Sequence, residues 1–264
     1  MKISIYQIDA FTGRLFGGNP AAVCPLPEWL DPQTMQNIAA ENNLSETAFY
    51  VKKGDQFEIR WFTPEIEVDL CGHATLASAH VIFNYSDFKG DVIPFQTLRS
   101  GELRVSKTND MLTLDFPATK PEPVPIPAQL AEALGTPPVE VYKSRDILAL
   151  FDREEDIVSM KPNFGLLLNL LTGLGCLGMI VTAPGNQSDF VSRFFAPPAG
   201  IDEDPVTGSA HTTLTPFWAE RLDKPRLHAF QLSRRGGELF CQLSGHRVLI
   251  SGKAVTYMKG EIEF

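Results

Sequence analysis

The sequence predicts an α+β protein made of two similar halves, and three observations carry that reading. Short segments rich in β-branched and aromatic residues recur along the chain and outnumber the helical stretches. A proline-rich stretch with Pro117, Pro121, Pro123, Pro125 and Pro127 interrupts the chain near its middle. On each side stands a helix announced by an aspartate and a glycine. The first reads Asp69-Leu-Cys-Gly72-His73-Ala-Thr and the second Asp204-Pro-Val-Thr-Gly208-Ser209-Ala. The two glycines lie about half the chain apart, the spacing of an internal duplication.

The elements follow in order. Strands are expected over 3–8, 47–51, 57–62, 95–98, 103–105 and 111–116, each ending in turn chemistry. A helix opens at Asp31-Pro32, with Asp as N-cap and Pro at the first helical position, and runs to about Glu41. A second follows Gly72 over 74–83, a third spans 128–134 with Gly135 as its stop, and a fourth follows Gly208 over 209–222. Residues 179–183, 246–250 and 253–258 read as later strands. The expected organisation is an N-terminal lobe over 1–116 completed by a final strand at about 253–264. A stiff, extended hinge over 117–127 follows the first lobe, unable to join a central sheet, and a C-terminal lobe covers 128–252.

Composition narrows the function. The chain has 264 residues, of which 44% are hydrophobic and 21% charged, which suits one large or two medium soluble domains. Its formal net charge of −9, without a basic stripe, argues against nucleic acid and anionic membranes as partners. Cys24, Cys71, Cys176 and Cys241 form no C-x-x-C pair, which argues against structural zinc and a thioredoxin motif. No leader-like segment opens the chain, so a cytoplasmic protein with reduced thiols is expected. The apolar run at 166–171 is far shorter than the roughly 20 residues of a spanning helix. Gly173, Gly175 and Gly178 match G-x-G-x-x-G, but a strand follows where a dinucleotide fold needs a helix. The histidines show no metal-ligand spacing, and Ser209 does not sit in a G-x-S-x-G elbow.

Both glycine turns open helices, whose first amides lack intrahelical partners and lie at the positive end of the dipole. Two such sites suit a carboxylate, or the oxygen of an enolate formed by proton abstraction. The candidate base is Glu46, in Leu44-Ser45-Glu46-Thr47, where a helix ends and an apolar strand begins. His73 is a candidate acid or hydrogen-bond donor, and a satisfied helix-end group otherwise; Asp204 is a candidate partner or a plain turn starter. His211 reads as structural. Cys71 reads chiefly as a small packing residue, with a reactive helix-start thiol as the alternative.

Several longer runs resemble the phenazine biosynthesis-like (PhzF-type) isomerases. They are Asp9-Ala-Phe-Thr-Gly-Arg-Leu-Phe-Gly-Gly-Asn19-Pro20, Leu44-Ser45-Glu46-Thr47-Ala48-Phe49, Arg60-Trp61-Phe62-Thr63-Pro64, Cys71-Gly72-His73-Ala74-Thr75 and Ser192-Arg193-Phe194-Phe195-Ala196-Pro197 with Asp202 to His211. The tail, His228 to Gln231 with Arg235 to Leu239, is similar to the branch that includes the animal phenazine biosynthesis-like domain proteins. The resemblance implies a diaminopimelate epimerase-like fold: two similar domains, each a β-barrel-like sheet around a central helix, with the active site in the cleft between them. It implies no cofactor and no metal. It also implies that Glu46 shuttles a proton, as the matching glutamate does when the phenazine enzyme isomerises a dihydro-hydroxyanthranilate. His73 and Asp204 then support the transfer, and Ser45, Gly72, Gly208 and Ser209 hold a small carboxylate-bearing substrate. Racemases of this fold use two cysteines; Cys71 falls at the first position, but the second falls at or beside Pro205, which disfavours a two-thiol racemase. A homodimer is expected from the resemblance. Two alternatives stay open: an epimerase or racemase of amino or hydroxy acids, and a catalytically silent binding or regulatory protein of the same fold. The apolar stretch 163–178 matches no family motif, and one arginine of Ser233-Arg234-Arg235 could meet a substrate carboxylate.

Overall fold

A computed structural model describes the whole chain, Met1–Phe264. Two compact units result: Met1–Phe116 with Leu249–Phe264, and Pro117–Val248. The first contains β1 (Lys2–Ala10), β2 (Asn19–Leu26), α1 (Pro32–Asn42), β3 (Glu46–Lys53), β4 (Gln56–Phe62), β5 (Glu67–Val68), α2 (Gly72–Tyr85), β6 (Val92–Gln96), β7 (Glu102–Thr108) and β8 (Met111–Pro117). The second contains β9 (Glu122–Pro123), α3 (Leu130–Leu134), β10 (Glu140–Lys143), β11 (Ile147–Leu150), α4 (Glu154–Ser159), α5 (Phe164–Leu174), β12 (Met179–Pro184), β13 (Phe190–Ala196), β14 (Ile201–Asp204), α6 (Gly208–Leu222), β15 (Arg226–Gln231) and β16 (Gly237–Ser244). The chain ends in β17 (Arg247–Gly252) and β18 (Ala254–Glu263), and β18 runs antiparallel to β1 in the first unit.

The two units repeat one pairing scheme. In the first, β2 is parallel to β3, β3 antiparallel to β4, and β4 antiparallel to β5 but parallel to β6 across α2. In the second, β11 is parallel to β12, β12 antiparallel to β13, and β13 antiparallel to β14 but parallel to β15 across α6. In both, the turn between the short strand and the crossover helix carries the Gly72 or Gly208 motif.

Each crossover helix is the core of its unit. In α2, Ala74, Leu76, Ala77, Ala79, Val81 and Ile82 are all buried, so the helix is apolar around its circumference and must be enclosed. α6 is more polar, with Thr213, Thr215 and His211 buried beside Leu214 and Trp218. Pro216 inside α6 cannot donate to the carbonyl four residues back, that of Thr212. The N–H of Thr119 takes that carbonyl at 3.0 Å.

That bond corrects the reading of the proline-rich stretch. It is no free hinge but is laced onto the second unit. Ala118 donates to His246 at 2.9 Å, Val124 to Val141 at 2.9 Å, and Glu122–Pro123 bridges to β10 at a sheet edge, where proline is tolerated. The closing segment of the first unit starts at Leu249 rather than 253. The helix expected at Ala128 starts at Leu130, whose N–H is taken by the carbonyl of Pro127. The strand expected over 95–98 lies at Val92–Gln96, leaving Leu98 exposed. The unassigned apolar stretch forms α5, capped by the Asn163 side chain on the Leu166 N–H and stopped by Gly175 at φ 65°. Its Leu167 and Leu171 are fully buried, each contributing roughly 1.5–3 kcal/mol. α1 and α2 form where expected, with the Asp31 carboxylate accepting from Gln33 and Thr34. No helix is long and apolar enough to cross a membrane.

Candidate active site

In the first unit, the αL residue Asn43 ends α1, and the chain turns through Leu44 and Ser45 into β3. Glu46 is the first residue of β3 and lies in register with Ala21 of β2. Asn42 ties the turn down by donating to the Thr47 hydroxyl at 3.1 Å. β2 itself begins at Asn19, which shares a strand face with Ala21 because side chains alternate. The chain arrives from β5 at Cys71, and α2 begins with Gly72 and His73.

These three routes bring four side chains together. His73 Nε2 lies 3.2 Å from Glu46 Oε2, and His73 Nδ1 lies 3.2 Å from Asn19 Nδ2 and 3.5 Å from Cys71 Sγ. The His73 side chain is 5% exposed, whereas that of Glu46 retains 16%, so Glu46 is the member of the group open to solvent. Burial disfavours a charged imidazole at His73, whereas the Glu46 carboxylate beside it favours one and raises the pKa. Burial, reinforced by the Glu46 charge, pushes the Cys71 thiol up to about 11 although His73 opposes it. Cys71 is therefore a neutral thiol near neutral pH. Its burial weighs against an activated helix-start thiol, and its sulfur touches the imidazole.

The ligand-capable atoms of Glu46, Cys71 and His73 lie within 4.8 Å of one another. His73 Nε2 lies nearest Glu46 and Nδ1 nearest Cys71, and the three side chains form one compact cluster. Ser45 is half-buried beside Glu46, and Gly72 is half-buried at the first position of α2. The first turn of α2 carries no acidic side chain and no side-chain cap, in contrast to α1 and α5, which cap themselves.

In the second unit, α6 likewise opens without a side-chain cap or an acidic residue in its first turn. The Thr207 hydroxyl instead donates to the Asp204 carboxylate. Gln231, fully buried, clamps the whole turn: its Oε1 accepts from the Thr207 N–H at 2.8 Å, and its Nε2 donates to the Asp204 carbonyl at 2.9 Å and the Thr207 hydroxyl at 3.1 Å. Ser233 adds a bond to the Pro205 carbonyl at 2.8 Å. Gly208 is buried and Ser209 half-buried. His211 donates from Nδ1 to the Thr207 carbonyl at 2.8 Å; burial, only partly offset by that bond, lowers it to about 4, so it is a neutral structural imidazole.

A matching brace precedes each turn. Arg60 and Glu67 form a two-pronged ion pair at 2.7 and 2.8 Å, and Arg193 and Glu203 another at 2.7 and 2.9 Å. Each guanidinium also lies over a phenylalanine two residues on, Phe62 at 5.2 Å and Phe195 at 4.9 Å. Arg193 further takes the carbonyls of Ile157 and Met160 at the end of α4. Sequence reasoning missed these braces, Gln231 and the position of Asn19. The repeated Arg-x-Phe before each turn was the readable signal for the braces; nothing local marks Gln231 as a clamp.

The family described as phenazine biosynthesis-like protein matches residues 8–260. The chain is 52% identical over 262 residues to "Uncharacterized isomerase PA2770" of Pseudomonas aeruginosa, covering 99% of each. It is 42% identical over 287 aligned positions to the human phenazine biosynthesis-like domain-containing protein, again covering 99% of each. A crystal structure of a PhzF family protein from Enterococcus faecalis superposes with a TM-score of 0.97 at 48% identity, over 100% of both chains. A hydroxyproline epimerase from Agrobacterium vitis shares the fold alone, with a TM-score of 0.64 at 10% identity, covering 99% of this chain and 92% of that one. The chain belongs to the phenazine biosynthesis-like family and has its diaminopimelate epimerase-like fold.

Proposed function

We propose that this protein is a cofactor-independent isomerase in which Glu46 moves a proton on a small carboxylate-bearing substrate. Membership of a family whose relatives are named isomerases supports an isomerase or epimerase role. The observation that carries the finer reading is the Glu46 carboxylate, held 3.2 Å from a buried imidazole yet itself reachable by solvent. Glu46 takes a proton from a carbon next to, or conjugated with, the substrate carboxylate. The C–H electron pair moves into the conjugated system, and negative charge collects on oxygen. Glu46 then returns the proton to another carbon on the same face, and the double bond moves with it. His73 holds the carboxylate and balances its charge. Gly72 presents the uncapped start of α2 to anionic oxygen, and Ser45 contributes a hydroxyl. Asp204 as a supporting acid, with Gly208 and Ser209 as binding groups, belongs to the same proposal. The neutral state of Cys71 weighs against a thiolate racemase. The reading also includes a cytoplasmic homodimer that keeps its activity after dialysis against a chelator.

The test is proton exchange in deuterated water with carboxylate metabolites first ranked by thermal shift. Wild-type protein incorporates deuterium into its substrate, while Glu46→Gln binds the same compound and incorporates none. Equal exchange by wild type and Glu46→Gln removes Glu46 from the mechanism. Deuterium appearing at the original carbon with inverted configuration makes the protein an epimerase instead.

A further inference from the structure

The groups around His73 differ in what they offer. Two touch the Nδ1 edge: the Asn19 amide nitrogen at 3.2 Å and the Cys71 sulfur at 3.5 Å. Both are donors, the amide because Nδ2 carries only hydrogens and Cys71 because it keeps its thiol proton. Nε2 is the ring nitrogen nearest Glu46, 3.2 Å from its carboxylate oxygen. Glu46 and Cys71 are the titratable groups in contact with the ring.

We propose that Asn19 is a positioning residue for His73: its amide donates to Nδ1 and so directs the proton of the neutral imidazole to Nε2, the ring nitrogen nearest Glu46. The surroundings of Asn19 are built to hold that amide in place. Asn19 is fully buried and is paired through its backbone with Ala10 of β1. The loop before it is shaped by Asp9, a carboxylate only 1% exposed that accepts from the Phe16 N–H at 2.9 Å. Phe16 is thereby held at φ 66°, a left-handed conformation that bulky residues avoid. Gly18 follows at φ 61°, where a Cβ would stand 2.1 Å from the Ala10 carbonyl oxygen. The backbone reaches Asn19 by one narrow route, and its amide then faces the ring at a fixed distance. The consequence for catalysis rests on Glu46 being the base: an N–H on the ring nitrogen nearest that carboxylate sets a positive dipole beside it.

The experiment is nitrogen NMR of protein labelled with 15N-histidine, the His73 signals being those missing from His73→Gln. In wild type above the His73 titration, the neutral ring is expected as the Nε2–H form. Asn19→Asp, the same shape with an acceptor in place of the donor, is expected to stabilise a proton on Nδ1. It should move the His73 titration upward by about one pH unit or more, and shift the matching limb of the kcat/KM profile in the same direction. A wild-type ring in the Nδ1–H form, or an Asn19→Asp protein whose His73 titrates where wild type does, overturns the proposal. The spectra need no turnover. If Glu46→Gln still exchanges protons while the spectra behave as stated, the base assignment falls and the role of Asn19 in setting the ring stands.

Discussion

The neutral His211 makes a sharp prediction about stability. Its imidazole is fully buried, donates from Nδ1 to the Thr207 carbonyl, and is lowered to about 4 in the folded protein. In the unfolded chain it titrates near 6.5. A group lowered in this way stabilises the folded state fully above 6.5, and the contribution is lost as the pH falls toward 4, because the unfolded chain binds the proton first. At 1.36 kcal/mol per pH unit the loss between pH 7 and 5 is about 2 kcal/mol, rising to about 3 kcal/mol at pH 4. The perturbation is His211→Asn, whose amide keeps a donor near the Nδ1 position but does not titrate. Packing loss makes the variant less stable than wild type at pH 7 by an amount that does not depend on pH. Urea unfolding followed by tryptophan fluorescence measures both proteins from pH 7.5 to 4.5. The stability gap between them should close by about 2 kcal/mol from pH 7 to 5. A gap that stays constant across that range refutes the argument that buried His211 is held neutral.

Three further outcomes follow from the packing. Gln231→Leu keeps the volume but leaves the Thr207 N–H and the Asp204 carbonyl without their buried partner; it should cost about 2–5 kcal/mol in chemical denaturation and lower kcat more than it raises KM. Gly18→Ala forces a methyl against the Ala10 carbonyl at positive φ and should cost about 2 kcal/mol or more, read as a lower melting temperature, whereas Gly54→Ala, strained but with open space around it, should cost about 1 kcal/mol. Cys71→Ser should retain proton exchange within about tenfold, and the native thiol should resist alkylation below pH 9 because burial holds it near 11; loss of all exchange in Cys71→Ser would make the sulfur itself a reacting group.

Much of this protein was readable before any coordinates. The helix at Asp31-Pro32, the strands around Glu46 and Arg60, and the helices behind Gly72 and Gly208 are set by local chemistry: a cap, a fixed proline φ, an alternation of apolar side chains. The duplication was readable from the two Asp-to-Gly turns, and the family from motifs spread along the chain. α5 matches no family motif, although Phe164, Leu167, Leu171 and Leu174 recur at helical spacing behind the Asn163 cap. The proline-rich stretch looked like a hinge because nothing nearby says that Thr119 supplies the donor that Pro216 denies to Thr212.

The sequence by itself determined the elements, the repeat and the identities of Glu46 and His73 as candidate acid–base groups, since each depends on neighbours a few residues away. Only tertiary structure decided that Asn19, Glu46, Cys71 and His73 meet, that the thiol stays protonated, and that Gln231 clamps the turn at Asp204. These contacts join positions brought together by strand pairing and helix crossover, and the protonation states depend on how completely the surrounding chain excludes water. Pairing and exclusion of that kind are properties of the folded whole, with no local counterpart along the chain.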